Sequence, residues 1–212
     1  VLLKCKGRTS VRMNLTRAIL RRAGQEVCAV MSEPIVSIGI PAYNEALYIG
    51  EAIRSALSQT YKGLEVIVCD NGSDDETYAI IARLAEQDKR VLALRNERNI
   101  GATENFRRVR DCATGEFFMW LGGHDILQPD FVSEAVKNLS MPGCAMVFPQ
   151  CNFVNEVDPS IVLMSGDSEI DTASVDRLHG PVLVAHNLVK CSAIHGLFRT
   201  DLIKALPFEK IY

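Results

Sequence analysis

Val66-Ile67-Val68 is apolar and β-branched without a break, and that run constrains the fold more than any other feature of the chain. A strand with one wet face alternates apolar and polar residues, whereas a strand covered on both faces does not. The run therefore calls for a parallel sheet between two layers of helix, with residues 65–69 as an inner strand. The flanking chain supplies the rest. Residues 36–40 form a second β-branched strand, ended by Pro41, which has no N–H to give a ladder. Apolar pairs at Tyr48-Ile49, Ala52-Ile53 and Ala56-Leu57 return every four residues, the spacing of a helix lying on a sheet. Ser73-Asp74-Asp75-Glu76 opens a helix to about Gln87, with Ser73 and Glu76 at capping-box spacing and acids in the positive first turn. A strand follows at 91–94, a helix at 104–113 and a strand at 117–121. A further helix after Pro129 runs to about Leu139, with the proline in the first turn, where it is tolerated. Alternation with short links predicts right-handed βαβ units and an open, mostly parallel, Rossmann-like α/β sheet flanked by helices. Beyond Gly143, short apolar runs at 145–148, 161–164 and 181–184 alternate with polar loops and read as added antiparallel strands.

Composition narrows the function classes. The chain has 212 residues, 48% of them hydrophobic and 23% charged, which suits a soluble domain and excludes collagen, coiled coil and general disorder. No run approaches the ~18–20 apolar residues of a membrane span. A net charge of −3 gives no reason to expect a nucleic-acid partner. The charge is uneven, because Lys4, Lys6, Arg8, Arg12, Arg17, Arg21 and Arg22 crowd the front without an acid among them. Residues 1–32 have two readings. Val11, Leu15, Ala18 and Ile19 at helical spacing suit an amphipathic helix making peripheral contact with an anionic membrane. Met31-Ser32-Glu33-Pro34, directly before the first strand, suits a dispensable basic leader. The seven cysteines are scattered and form no CxxC pair, so neither a disulfide framework nor a zinc site is expected. With no signal-peptide pattern, the expected location is cytoplasmic, or peripheral at the inner face of the membrane.

In such sheets the ligand lies outside the carboxyl ends of the strands. The loops at 41–45, 70–75, 96–101 and 122–125 are therefore the candidates. The first strand is not followed by the glycine-rich turn of a dinucleotide fold, and no GxxxxGK loop is present. That disfavours an oxidoreductase and, for want of a basic glycine-rich phosphate loop, a nucleotidyltransferase. What stands at the strand ends is acidic. Asp70 suits a hydrogen bond to a base edge or ribose, or a local cap with Ser73. Asp125, in Gly122-Gly123-His124-Asp125, suits a metal site or a simple turn. Two carboxylates beside a diphosphate would repel it unless a divalent cation, Mg²⁺ or Mn²⁺, lay between.

These motifs, in order, resemble family 2 glycosyltransferases of the GT-A fold. Val36-Ser37-Ile38-Gly39-Ile40-Pro41-Ala42-Tyr43-Asn44-Glu45 is similar to the family's opening strand. Leu57-Ser58-Gln59-Thr60-Tyr61, Cys69-Asp70-Asn71-Gly72-Ser73, Asn99-Ile100-Gly101 with Asn105, and Ala113-Thr114-Gly115-Glu116-Phe117 follow in family order. Gly123-His124-Asp125-Ile126-Leu127 stands where the DxD-type metal motif belongs, before Pro129-Asp130-Phe131. The resemblance is close from Val36 to Leu139 and thins afterwards, although His195-Gly196-Leu197-Phe198-Arg199 is similar to a late family segment. It implies that Pro41, Ala42, Tyr43 and Glu45 wall a nucleotide pocket. Asp70 would accept a hydrogen bond from the base, typically uracil, with Asn99 and Gly101 beside the nucleoside. Asp125 would ligate a Mn²⁺ or Mg²⁺ cofactor on the donor diphosphate. Gly123 and His124 replace acids often found there; a neutral His124 imidazole can still ligate Mn²⁺, bind a phosphate, or serve as plain polar surface. Met119 and Trp120 read as core.

The reaction implied is inverting transfer from a nucleotide-diphosphate sugar, UDP-sugar above all, to a hydroxyl of a glycan or lipid-linked acceptor, the family's usual route to cell-surface polysaccharide. A carboxylate base in the acceptor half should take the acceptor's proton. Asp158, Asp167, Glu169, Asp171 and Asp176 are available but read equally well as solvated loop charges, and the base is expected beyond Tyr212. Residues 33–142 are thus read as the nucleotide-sugar-binding half and 143–212 as an incomplete acceptor-side half. The rival function is a catalytically impaired or truncated sugar-nucleotide-binding domain.

Overall fold

The computed structural model describes residues 2–3, 33–141, 144, 146–147, 151–154, 162–165 and 195–206. In chain order the strands are β1 (Leu2–Leu3), β2 (Val36–Ala42), β3 (Leu64–Asp70), β4 (Val91–Arg95), β5 (Phe117–Trp120), β6 (Ile126–Leu127), β7 (Met146–Val147), β8 (Cys151–Val154), β9 (Val162–Ser165) and β10 (Leu197–Arg199). The helices are α1 (Ile49–Leu57), α2 (Thr77–Gln87), α3 (Ala102–Asp111), α4 (Phe131–Leu139) and α5 (Thr200–Ala205). Among the described residues, six strands form the main sheet in the order β4-β3-β2-β5-β10-β7. The first four are mutually parallel, while β10 runs antiparallel to both β5 and β7. This is the mixed, mostly parallel sheet expected from the alternation of elements.

Side chains of the inner strands divide between two cores by alternation. Ile38, Ile40, Val66, Val68, Phe117 and Met119 pack with Ile49 and Ile53 of α1, Ile81 of α2 and Phe131 of α4. Ile67, Cys69, Phe118 and Trp120 pack on the opposite face with Val109 of α3 and Ile203 of α5. β3 buries residues on both faces, which is why its sequence shows no polar alternation. Trp120, only 1% exposed, meets Phe118 edge-on at 4.8 Å between ring centroids, so Met119 and Trp120 are core as expected.

Three local expectations change. Pro41 does not end its strand: β2 continues to Ala42, which pairs with Asp70. The Asn71 N–H reaches the Ala42 carbonyl and the Leu121 N–H reaches that of Gly39. By alternation the N–H that Pro41 lacks would fall on the β5 side, where β5 has already ended at Trp120, so the proline sits where the ladder stops. The second change is at α2, which begins at Thr77, with no side-chain cap at Glu76. Ser73 is drawn away from any capping box, because its hydroxyl is bonded to Asp70 and accepts the Asn44 N–H. At the start of α4, Pro129 lies before the helix, and its carbonyl accepts the Thr60 N–H at 2.8 Å.

Several family-like motifs prove to be ties between elements. Gln59, fully buried, donates to the Ser55 and Gln128 carbonyls and accepts the Val132 N–H. It fastens the end of α1 to the start of α4. Glu65 accepts from the Thr114 and Gly115 N–H groups and from the Thr114 hydroxyl, pinning the turn into β5 against β3. A Cβ on Gly115 would fall 2.5 Å from the Ile35 carbonyl oxygen, so only glycine fits that approach. Arg199 donates to the Leu139 and Cys144 carbonyls, closing the carboxyl end of α4.

A second sheet has the order β6-β1-β8-β9, with β1 parallel to β6 and β8 antiparallel to β1 and β9. The antiparallel strands expected at 145–148 and 161–164 correspond to β7 and β9, while β8 was not anticipated. The run at 181–184 and the helical spacing at 11–19 lie outside the described residues. Among those described, no helix is long and apolar enough to cross a membrane.

Candidate nucleotide and metal site

The chain leaves β2 toward β3 on one side, whereas β5 is added on the other. That reversal opens a crevice between the carboxyl ends of β2 and β5, the place where open α/β sheets bind ligands. A cavity of about 250 Å³ lies there, lined by Pro41, Ala42, Tyr43 and Glu45 from the end of β2 and by Gly122, Gly123 and His124 after β5. Asn71, Asn99, Ala102, Asn105 and Phe106 complete it. Six of the sequence-predicted residues, Pro41, Ala42, Tyr43, Glu45, Asn99 and His124, are thus brought together. Tyr43 is 45% exposed, leaving ring surface for a planar ligand to stack on.

One wall is an amide network absent from the sequence reading. Asn71 donates to the Asn99 side chain and the Gly101 carbonyl, and accepts from the Ile100 N–H and from Asn96. Asn96 also donates to Asn105, which donates in turn to the Cys69 carbonyl. Burial makes each of these bonds costly to lose, so the 96–101 loop is held in one shape. Gly101 takes part through its backbone, its N–H reaching Asn99 at 2.8 Å. Gly72 lets the 70–73 turn press against that loop: its φ is 71°, and a Cβ there would lie 2.8 Å from the Arg98 Cα.

Asp70 sits beneath this wall, fully buried. Its carboxylate accepts from the Ser73 hydroxyl and N–H and pairs with Arg95 at 3.1 Å. Those contacts engage both oxygens, and Asn71, rather than Asp70, lines the cavity. The local interaction with Ser73 that the sequence suggested is thus present.

On the β5 side, His124 Nδ1 lies 2.9 Å from Glu45 Oε1, a bridge across the crevice. Asp125 is buried at 2% exposure, and His195, just before β10, places Nε2 3.5 Å from its Oδ2. Burial above all holds the His195 imidazole below the usual histidine range, against the pull of Asp125 and the Trp120 carbonyl, so the ring is neutral near pH 7. His195 Nδ1 lies 3.3 Å from the Trp120 carbonyl. The single proton of the neutral ring is donated either by Nδ1 to the Trp120 carbonyl or by Nε2 to the Asp125 carboxylate; in the first tautomer the Nε2 lone pair is open to a cation beside Asp125. Metal-bound histidines show this pattern, with the second ring nitrogen donating to a carbonyl. Among the described residues no group of three or more His, Cys, Asp or Glu could hold an ion alone. The Asp125–His195 pair could contribute two ligands to a cation that takes the rest from diphosphate and water, and the imidazole suits Mn²⁺ better than the oxygen-preferring Mg²⁺. Sequence reasoning noticed the His195 segment but not its pairing with Asp125. The acids considered for a general base, Asp158, Asp167, Glu169, Asp171 and Asp176, lie outside the described residues, as does Tyr212.

A mostly parallel sheet with a concave site at its switch point defines an α/β protein of the nucleotide-binding kind. The pattern of Glycosyl transferase family 2 matches residues 37–204, and the chain belongs to that family. An uncharacterized glycosyltransferase of Rickettsia typhi is 33% identical over 180 residues, 84% of this chain and 52% of that protein. Chondroitin synthase of Escherichia coli is 40% identical over 113 residues, 51% of this chain and 16% of its own. Thus the chain spans about half the length, or less, of these curated relatives. Among solved structures, the Pyrobaculum calidifontis mannosyltransferase in complex with GDP-Man and Mn²⁺ matches with a TM-score of 0.52 and 26% identity, covering 61% of this chain and 38% of that one. Staphylococcus aureus TarS 1–349 with UDP matches with a TM-score of 0.65 at 19% identity, covering 82% and 51%, a likeness of fold. The expected GT-A fold is thereby borne out.

Proposed function

We propose that this chain is the donor-binding part of an inverting glycosyltransferase that uses a UDP-sugar and a divalent cation and transfers to a hydroxyl of a glycan or lipid-linked acceptor. The observation that carries this reading is the juxtaposition, at one crevice, of an exposed aromatic and a fixed amide wall, with the buried Asp125–His195 pair outside the cavity lining and next in the chain to His124. Relatives support its chemistry: one solved neighbour holds GDP-Man with Mn²⁺ and another holds UDP.

In this reading Tyr43 stacks on the base, and the 96–101 loop, fixed by Asn71 and Asn96, positions the nucleoside. Asp70 supports that floor by holding Ser73 and Arg95. Asp125 and His195 would hold the cation, while His124, steadied by Glu45, would hydrogen-bond a phosphate oxygen. The cation, when bound, supplies Lewis acidity to the departing diphosphate. Fixed donors and charges at this point need no reorganisation as the glycosidic bond breaks, which is where such sites lower barriers most.

Calorimetry of the chain with UDP, GDP and dTDP, with and without Mn²⁺, tests the reading. UDP should bind tightest, and UDP-sugar should bind more tightly with Mn²⁺ than with chelator. Failure of every nucleotide to saturate would remove it. Mn²⁺-dependent hydrolysis of the UDP-sugar separates an enzyme from a binder without turnover.

A further inference from the structure

A second cavity, of about 350 Å³, lies at the end of β4 and is lined by Arg95, Asn96, Glu97, Arg98, Ile100 and Arg108. We infer that this cavity is a separate binding site for a phosphate-type oxyanion, outside the donor pocket and independent of the donor reading.

Three arginines line one concave surface in a chain whose net charge is −3. Two of them are pre-positioned. Arg95 is held by the buried Asp70 and lies over the Tyr78 ring at 4.7 Å. Arg108 donates to the Asn96 side-chain oxygen. Glu104, an acid on the same helix as Arg108, is already paired with Arg107. Among the described residues, neither Arg98 nor Arg108 forms an ion pair, and Glu97 is the only acid in the lining. Guanidinium forks match phosphate oxygens two at a time and are weakly hydrated, so they release water at low cost when such an anion arrives. A phosphoryl group, with several charged oxygens around one centre, can engage all three. Asn96 joins this cavity to the donor pocket, since it bonds Asn71 and Asn105 there.

The test titrates the chain with inorganic phosphate at constant ionic strength by calorimetry, once alone and once with saturating UDP. Saturable binding in both arms is expected. Arg98→Gln and Arg108→Gln should each weaken it about tenfold, the scale of losing a charge-assisted hydrogen bond. A parallel titration with a glycerol phosphodiester separates the sources: tighter binding than phosphate indicates a diester carried by an acceptor chain, weaker binding a free phosphate or monoester. Absence of saturable phosphate binding, binding abolished by UDP, or equal affinity in the Arg98→Gln/Arg108→Gln double variant would overturn the proposal. If UDP itself does not bind, the donor reading fails, and the dependence of the UDP-free arm on Arg98 still decides this one.

Discussion

Asp125 and His195 come from segments far apart in the chain, yet their side chains approach to 3.5 Å. Replacing Asp125 by Ala should abolish the Mn²⁺ enhancement of UDP-sugar affinity and leave uridine affinity nearly unchanged, because uridine has no diphosphate to share the ion. His195→Ala should remove part of the enhancement. Isothermal titration with and without chelator measures both, and a wild-type chain indifferent to chelator would end the metal assignment. Asp70→Ala should weaken UDP binding indirectly, by about tenfold or less, because the buried contacts that fix the floor beneath Asn71 are lost. Since that carboxylate holds Ser73 and Arg95, the variant should also melt at lower temperature. An unchanged dissociation constant in a folded Asp70→Ala chain would separate Asp70 from the pocket. The acidic strand ends were legible in sequence because a charged residue after a buried strand is conspicuous. The direction in which Asp70 points was not, since it depends on Arg95 in the neighbouring strand.

At the scale of elements, the motifs at 57–61 and 113–117 act as fasteners. Gln59 ties α1 to α4 with its side chain fully buried. Gln59→Leu should therefore cost ~2 kcal/mol, because it strands the buried Val132 N–H, whose acceptor is the Gln59 side chain. Gly115→Ala should also destabilise, since its Cβ would meet the Ile35 carbonyl oxygen at 2.5 Å. Urea unfolding with unchanged slope and lowered midpoint checks both; an unshifted midpoint for either would show that the tie is dispensable. Sequence alone marked these residues as part of a family-like pattern. Only the packed structure shows that they hold elements together while the crevice residues face the ligand.

For the whole molecule, acid stability follows from carboxylates engaged in the fold. Burial pushes the Glu65 carboxyl up, but hydrogen bonds from Ser37, Thr114 and Gly115 outweigh it and leave the group below its ordinary value. A depressed folded-state value means the contribution is complete above the unfolded carboxylate range and is lost as pH falls through the folded value. The melting temperature should thus drop between about pH 5 and about pH 3, and Glu65→Gln should flatten part of that drop while lowering stability at neutral pH. An identical acid profile in the variant would show that Glu65 does not contribute. By itself the sequence determined the layer architecture, because an uninterrupted run such as Val66-Ile67-Val68 is stable only when covered on both faces. It also determined which loops gather at one edge, since parallel strands all present their carboxyl ends there. Tertiary structure decided what local patterns could not: the passage of β2 through Pro41, the late start of α2 and the pairing of Asp125 with His195. In each case a hydrogen-bonding group that the local sequence would satisfy one way meets a partner, or the end of a neighbouring strand, that only distant chain brings into reach.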